Sequence, residues 1–276
     1  MKLLLRAEIL KVIKQSKTYY ALGAVFVIEL LILITAYYQG STILDVLLDN
    51  LKQSFFFEGT LLNGNLILYI VLNSLWFNLP LILMIITSSM LTDEYKDGTM
   101  QTVLLQAVKK WKFITAKYLI AIGFTLFVMA FMMISTCLLA YTAFGKGDLV
   151  VYLNTLNFFE SADAFKRICW AFACGSMVMI FYSVISVTLA IFLKEATKTW
   201  IVAALVLVVT NLLLKIDFGA AFMNILFFPK LVDTWQEFFY YETDWKRVFM
   251  NNTVLALYSV LLIFIGTFVF HKRDIE

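Results

Sequence analysis

Long apolar stretches alternate with short polar ones along the whole chain. Six of them, near Tyr19–Tyr38, Leu66–Met90, Leu119–Phe144, Ile168–Leu193, Trp200–Phe218 and Val254–Phe270, are long enough to cross a bilayer, which takes about 20 residues. The hydrocarbon layer offers backbone groups no partners, so such runs must form helices unless they close into a barrel. Barrel strands would be about 10 residues long and alternating, and these runs are longer and continuously apolar. The pattern predicts an all-α integral membrane protein with six transmembrane helices, read as a single membrane domain over residues 1–276.

The segments between the spans carry patterns of their own. Residues 1–17 read as an amphipathic helix, with Leu5, Ile9, Val12 and Ile13 on one face and Glu8, Lys11 and Gln15 on another. Such a helix lies in the membrane interface with its lysines near anionic headgroups. It also reads as a simple basic topology signal, and the two readings are compatible. A signal peptide is not expected, because no short apolar core and small-residue cleavage site follow the charges.

The segments on the other side are aromatic: Phe55–Phe57 within 51–62, then Tyr152, Phe158 and Phe159 within 150–159. Residues 219–253 carry Phe227, Phe228, Pro229, Trp235, Phe238, Phe239, Tyr240, Tyr241 and Trp245. Aromatic side chains at this density belong at a membrane–water boundary. Interfacial or partly re-entrant helices are therefore expected in these segments, either as an anchor belt or as a lid over a transport path.

Composition agrees with this class. Of 276 residues, 62% are hydrophobic and only 15% charged, against roughly a quarter charged in a soluble domain. Net charge is +3, too little to suggest nucleic-acid binding, but the position of the charges matters. Fourteen of the 22 basic residues fall on the side of the two termini: Lys2, Arg6, Lys11, Lys14, Lys17, Lys96, Lys109, Lys110, Lys112, Lys117, Lys194, Lys198, Lys272 and Arg273. Most acids fall on the other side. By the positive-inside rule both termini are expected in the cytoplasm, as in a multi-pass protein of the cell membrane. Cys137, Cys169 and Cys174 lie in apolar runs without metal or redox spacing and read as packing residues.

Catalytic motifs are sparse. The lone histidine, His271, leaves no H-E-x-x-H site, and no G-x-S-x-G elbow or G-x-x-x-x-G-K-[ST] phosphate loop occurs. No catalytic, metal or nucleotide site is expected in this chain, so work would draw on a partner or an ion gradient. Inside the spans, Glu29 is costly, at about 2.5–3.5 kcal/mol for a charged group at the helix centre. It reads as a proton or cation site, as a polar contact to cargo, or as a protonated acid bonded to a neighbouring helix. Asn73, Ser74, Asn78, Thr210 and Asn211 read as helix–helix hydrogen bonders. Pro80 predicts a kink in span two, and Ala171 with Gly175 a close helix contact.

The segment 91–112 is the most unusual. A charged run, Thr92-Asp93-Glu94-Tyr95-Lys96-Asp97, ends at Gly98, and Thr99 is a candidate helix cap. Met100, Val103, Leu104 and Ala107 then repeat at helical spacing, predicting a helix of two or three turns that is marginal alone. It either lies on lipid or serves as a peg for a cytosolic partner. Lysines and Trp111 return the chain to the membrane.

Glu94-x-x-x-Gly98-Thr99, the short apolar helix, a basic stretch and Lys117 leading into a span together resemble the signature of ABC-2-type exporter permeases, most closely the bacterial drug, peptide and bacteriocin-export branch. Ala107 and Lys109 depart from it, standing where that family often has proline and serine. The resemblance implies an N-terminal interfacial helix, a cytoplasmic coupling helix over 99–107 and a short outer helical hairpin between spans five and six. It implies further that Glu94 helps hold the coupling helix, that Glu94, Gly98, Thr99, Met100, Val103, Leu104 and Ala107 couple to a separate cytosolic ATPase carrying ATP and magnesium, and that a second permease half, identical or related, completes a path between spans two and five. Glu29, Asn73, Asn78 and Asn211 are the candidate path residues. The alternatives are a non-transporting membrane scaffold or signalling subunit, and an intramembrane enzyme using Glu29.

Overall fold

A computed structural model describes residues 1–52, 61–105, 108–153, 155–214 and 226–272, with backbone only for 41 and 43–52. The Phe55–Phe57 run, Ala107 and residues 219–225 of the outer segment lie outside the described residues.

The architecture is that of an all-α integral membrane protein. The described helices are α1 (Lys2–Lys14), α2 (Ser16–Lys52), α3 (Gly64–Lys96), α4 (Thr99–Leu105), α5 (Lys110–Phe144), α6 (Ser161–Leu193), α7 (Ala196–Leu214), α8 (Phe228–Leu231) and α9 (Trp245–Lys272), with a 3-10 helix over Val232–Phe239 between the last two. Six of them, α2, α3, α5, α6, α7 and α9, are long and apolar enough to cross a membrane. Each expected span falls within or across one of these helices.

Most are longer than the apolar runs that predict them. The 33 residues of α3 rise about 50 Å at 1.5 Å per residue, well beyond a hydrocarbon core of about 30 Å. Hydropathy ends where lipid ends, whereas the backbone ladder continues until a cap or a glycine stops it. The charged run Asp93–Lys96 is therefore the last turn of α3 rather than loop, and the helix also runs through Pro80. It stops at Asp97, and Gly98 then turns the chain with φ +65°, a left-handed conformation that glycine adopts without steric cost.

Helix α6 is the centre of the bundle and packs on α3, α5, α7, α9 and the 3-10 helix. The Ala171/Gly175 contact forms as expected: a Cβ on Gly175 would meet the Trp76 ring at 3.0 Å, so α3 and α6 approach closely there. Polar side chains bridge the same core. Thr125 and Ser183 hydroxyls bond at 2.6 Å, Tyr118 and Thr188 at 2.8 Å, and Ser186 donates to the Met84 carbonyl. Helices α2, α7 and α9 lie at the periphery and leave broad apolar faces uncovered.

At the end of the bundle away from the termini, the structure corrects the sequence reading. Residues 150–159 do not form an interfacial helix. Leu149–Leu153 and Thr155–Phe159 pair as two antiparallel strands, β1 and β2, with Leu149 opposite Phe159. Val150, Val151 and Tyr152 favour strand through their branched and aromatic side chains. Asn63 caps α3 by accepting from the Leu66 amide at 3.1 Å and donates to the Asp148 carbonyl at 2.6 Å, tying the hairpin to the start of span two.

The 3-10 helix is likewise more than an anchor belt. Trp235, Phe238 and Phe239 are fully buried against the bundle, whereas Tyr241 and Trp245 are exposed. Arg167 of α6 fixes this cap: its guanidinium lies 4.3 Å over the Phe159 ring, donates to the carbonyls of Phe238, Tyr240 and Tyr241, and also reaches Thr243 Oγ1 and Asp163.

Candidate functional site

An ionic junction beneath α1 carries the most concentrated chemistry among the described residues. Helix α1 supplies Glu8 and Lys11, the end of α3 supplies Glu94 and Asp93, and α5 supplies Lys117. The Lys117 ammonium is only 2% exposed. It donates to Glu8 Oε2 at 2.5 Å and to the Met90 carbonyl at 3.0 Å, and pairs with Glu94 Oε1 at 2.8 Å. An ammonium has three hydrogens to give, so all three are matched. Lys11 bridges the same carboxylates from the rim, at 2.9 Å to Glu8 and 2.6 Å to Glu94. Two carboxylates and two ammoniums make the junction neutral, the condition under which buried charge is tolerated.

Beside it Lys17, at the start of α2, grips both oxygens of Asp93 at 2.7 and 2.9 Å. Burial pushes the Glu8 carboxyl up, but the Lys117 and Lys11 ammoniums outweigh it and hold the group below its usual range. Lys11 is pushed down by burial and, more strongly, up by its bonds to Glu94 and Glu8, so it sits above its usual range. Glu94 Oε2 is buried without a partner.

The junction corrects the reading of α1. Glu8, assigned to a face away from Leu5 and Val12, is buried together with Val12. Ile9 and Ile13 are exposed, as an interfacial helix needs. A signal for this was present in the sequence: Glu8 is the only acid before Glu29, and it sits three residues after Leu5 and four before Val12 on a helix otherwise rich in lysine and arginine.

From this junction the chain turns at Gly98 into α4, a helix of seven residues. Thr99 is its first residue rather than a cap preceding it. Of the expected contact residues, Met100 is buried, and Val103 and Leu104 are half-buried and pack against the bundle core. The free face carries Gln101, Thr102 and Leu105, the last 89% exposed. A helix this short does not persist alone, so its inner side chains seat it on the bundle, and the exposed set is the one most open to another molecule.

The path candidates are dispersed. Glu29 is 0% exposed and its Oε2 accepts from Ser135 of α5 at 2.6 Å. This is the arrangement of an acid bonded to its neighbouring helix. Asn73, Ser74, Phe77 and Asn78 form one exposed stripe on α3, and Asn211 is exposed on α7. Asn78 and Asn211 bond carbonyls of their own helices, Ser74 and Leu207. The expected bonds from these two asparagines to neighbouring helices are not made among the described residues, because both side chains point away from the bundle.

A search of curated proteins finds no match. The family model described as protein of unknown function (DUF2705) matches residues 50–276, a stretch that includes Glu94, α4, Lys117 and five of the six spans. The chain belongs to the DUF2705 family.

Proposed function

We propose that this chain is the membrane-spanning permease subunit of an ATP-binding-cassette exporter, working with a separate cytosolic ATPase that carries ATP and magnesium. The observation that supports it best is the short helix α4, seated on the ends of the spans beside a buried ionic junction while Leu105 stands clear of the protein. A large apolar side chain held on a rigid, outward peg is the form of a contact residue for a docking groove. In this reading the termini and α4 face the cytosol of a bacterial cell, in keeping with the excess of lysine and arginine on that side.

The second support is the stripe of Asn73, Ser74 and Asn78 on α3, with Asn211 on α7. Carboxamides on a helix face do not belong against lipid tails. They suit a water-filled path shared with a second copy or a related permease. Nucleotide-driven closure of two ATPases would move the two α4 helices, and the ionic junction would pass that movement to α1, α3 and α5 together. An amphipathic drug, peptide or lipid-like molecule is the cargo class expected for such a path.

Photo-crosslinking from position 105 in native membranes tests this reading. Capture of an ATP-binding-cassette protein, lost in Leu105→Asp while membrane insertion persists, is the expected result. Crosslinks to lipid alone from positions 101, 102 and 105 would reduce α4 to an interfacial helix and remove the main support for export.

A further inference from the structure

A second polar feature lies at the same end of the bundle. It is a cleft of about 660 Å³ bounded by the start of α2, the last turn of α3 and the α6–α7 junction, lined among others by Lys17, Thr92, Asp93, Lys96, Lys194, Glu195 and Trp200. Both of its carboxylates are already neutralised, Asp93 by Lys17 at 2.7 Å and Glu195 by Lys198 at 2.6 Å. Lys96 and Lys194 have no ion-pair partner among the described residues, and both are exposed. Lys194 is the described non-glycine residue with positive φ, at +58°, and it ends α6 at the cleft.

Two polar groups in the wall have nothing to bond. The Thr92 hydroxyl and the Trp200 indole N–H are shielded from solvent without a partner, and Thr92 is 1% exposed. The uncompensated groups here are thus two ammoniums, an indole N–H that can only donate, and a hydroxyl able to donate. What complements them is a compact anion with several acceptor oxygens. The cleft opens where the apolar helix α7 begins, and lysine with tryptophan is the pairing that suits a membrane–water boundary.

We propose that this cleft binds a phosphate group, one that anionic phospholipid headgroups of the adjoining leaflet present at this height. Lys96 and Lys194 hold its charge, and Thr92 and Trp200 turn toward its oxygens.

The test is native mass spectrometry of the full-length protein in detergent, titrated with phosphatidylglycerol and, separately, with inorganic phosphate as competitor. Lys96→Ala and Lys194→Ala should each weaken lipid retention about fivefold, the factor expected from about 1 kcal/mol per lysine at a membrane surface. Trp200→Phe, which keeps the ring and removes the donor, should weaken it further. Lys2→Ala, an exposed lysine of α1 outside the cleft, should leave it unchanged. Displacement of the lipid by millimolar inorganic phosphate would identify a soluble phosphate as the natural source while upholding the site. Retention unaltered in the Lys96→Ala/Lys194→Ala double variant would overturn the proposal, as would an equal loss in Lys2→Ala, which would mark a general attraction of charge.

Discussion

At the scale of the residue, Lys117 is the side chain on which most depends. Removing one partner of a buried ionic cluster strands the others, at a typical cost of about 3–5 kcal/mol. Lys117→Met should therefore lower the thermal midpoint of the purified protein markedly, whereas Lys11→Met, at the half-exposed rim, should lower it less. Scanning fluorimetry of the two variants side by side makes the comparison, and equal shifts would contradict the geometry.

The junction also has a defined pH range. Because the Glu8 carboxyl is held below its unfolded value of about 4.5, its contribution is complete above that pH and is lost as pH falls through the depressed value. Lys11, raised above 10.5, contributes fully below that value and loses its share as pH rises through the folded one. Helix α1 should stay docked across the neutral range and loosen in acid below 4.5. A spin-label distance between α1 and α5, measured from pH 7 down to pH 3, reads this directly.

Glu29 belongs to the same scale. With Ser135 donating to it, Glu29→Gln keeps an acceptor in place and should leave stability nearly unchanged. Glu29→Ala should cost about 2–3 kcal/mol through the space left behind, since the Ser135 hydroxyl can turn to the Phe131 carbonyl at 2.8 Å. A large loss of stability in the glutamine variant would show that the buried group carries charge.

At the scale of the element, α9 meets α5 through Gly266. A Cβ there would lie 2.0 Å from Tyr118 Oη, so Gly266→Ala must displace the hydroxyl that bonds Thr188. Overpacking of this kind costs about 1–3 kcal/mol. Tyr118→Phe removes the obstructing oxygen, so the double variant should recover part of the loss, a non-additivity that a thermal-unfolding cycle measures. Gly98 is a different case. Nothing lies within 4 Å of its would-be Cβ, so Gly98→Ala bears only the backbone cost of left-handed φ, about 1 kcal/mol.

The spans are legible in the sequence because lipid imposes one pattern on every helix that crosses it. Their true ends are not, since backbone bonding in α3 continues past the last apolar residue to Lys96. The hairpin 149–159 was hidden by its aromatic residues, which suggest an interface as strongly as they suggest a strand. Glu94 and Lys117 stand out in sequence through the resemblance they carry. Their partnership with Glu8 does not, because pairing across 109 positions is a property of packing. In α4, helical periodicity finds the apolar stripe of Met100, Val103 and Leu104 but does not say which neighbour the stripe will cover.

At the scale of the whole molecule, the exposed carboxamides on α3 and α7 are the main sign of an unfinished surface. Replacing Asn73 and Asn78 with leucine should leave the single chain folded and its thermal midpoint unchanged or higher, because neither side chain bonds another helix. If the stripe borders a path, the same variant should lose ATP-dependent flux in proteoliposomes. Undiminished flux would place the path elsewhere.

The Arg167 clamp has a consequence for how this protein can change over time. Three of its bonds end on main-chain carbonyls, which every amino acid possesses. The identities of Tyr240 and Tyr241 are therefore not what the clamp reads, and mutations there can accumulate without releasing the cap. A lineage is free to rewrite the exposed surface of this cap, Tyr241 included, while one arginine beneath it preserves the attachment.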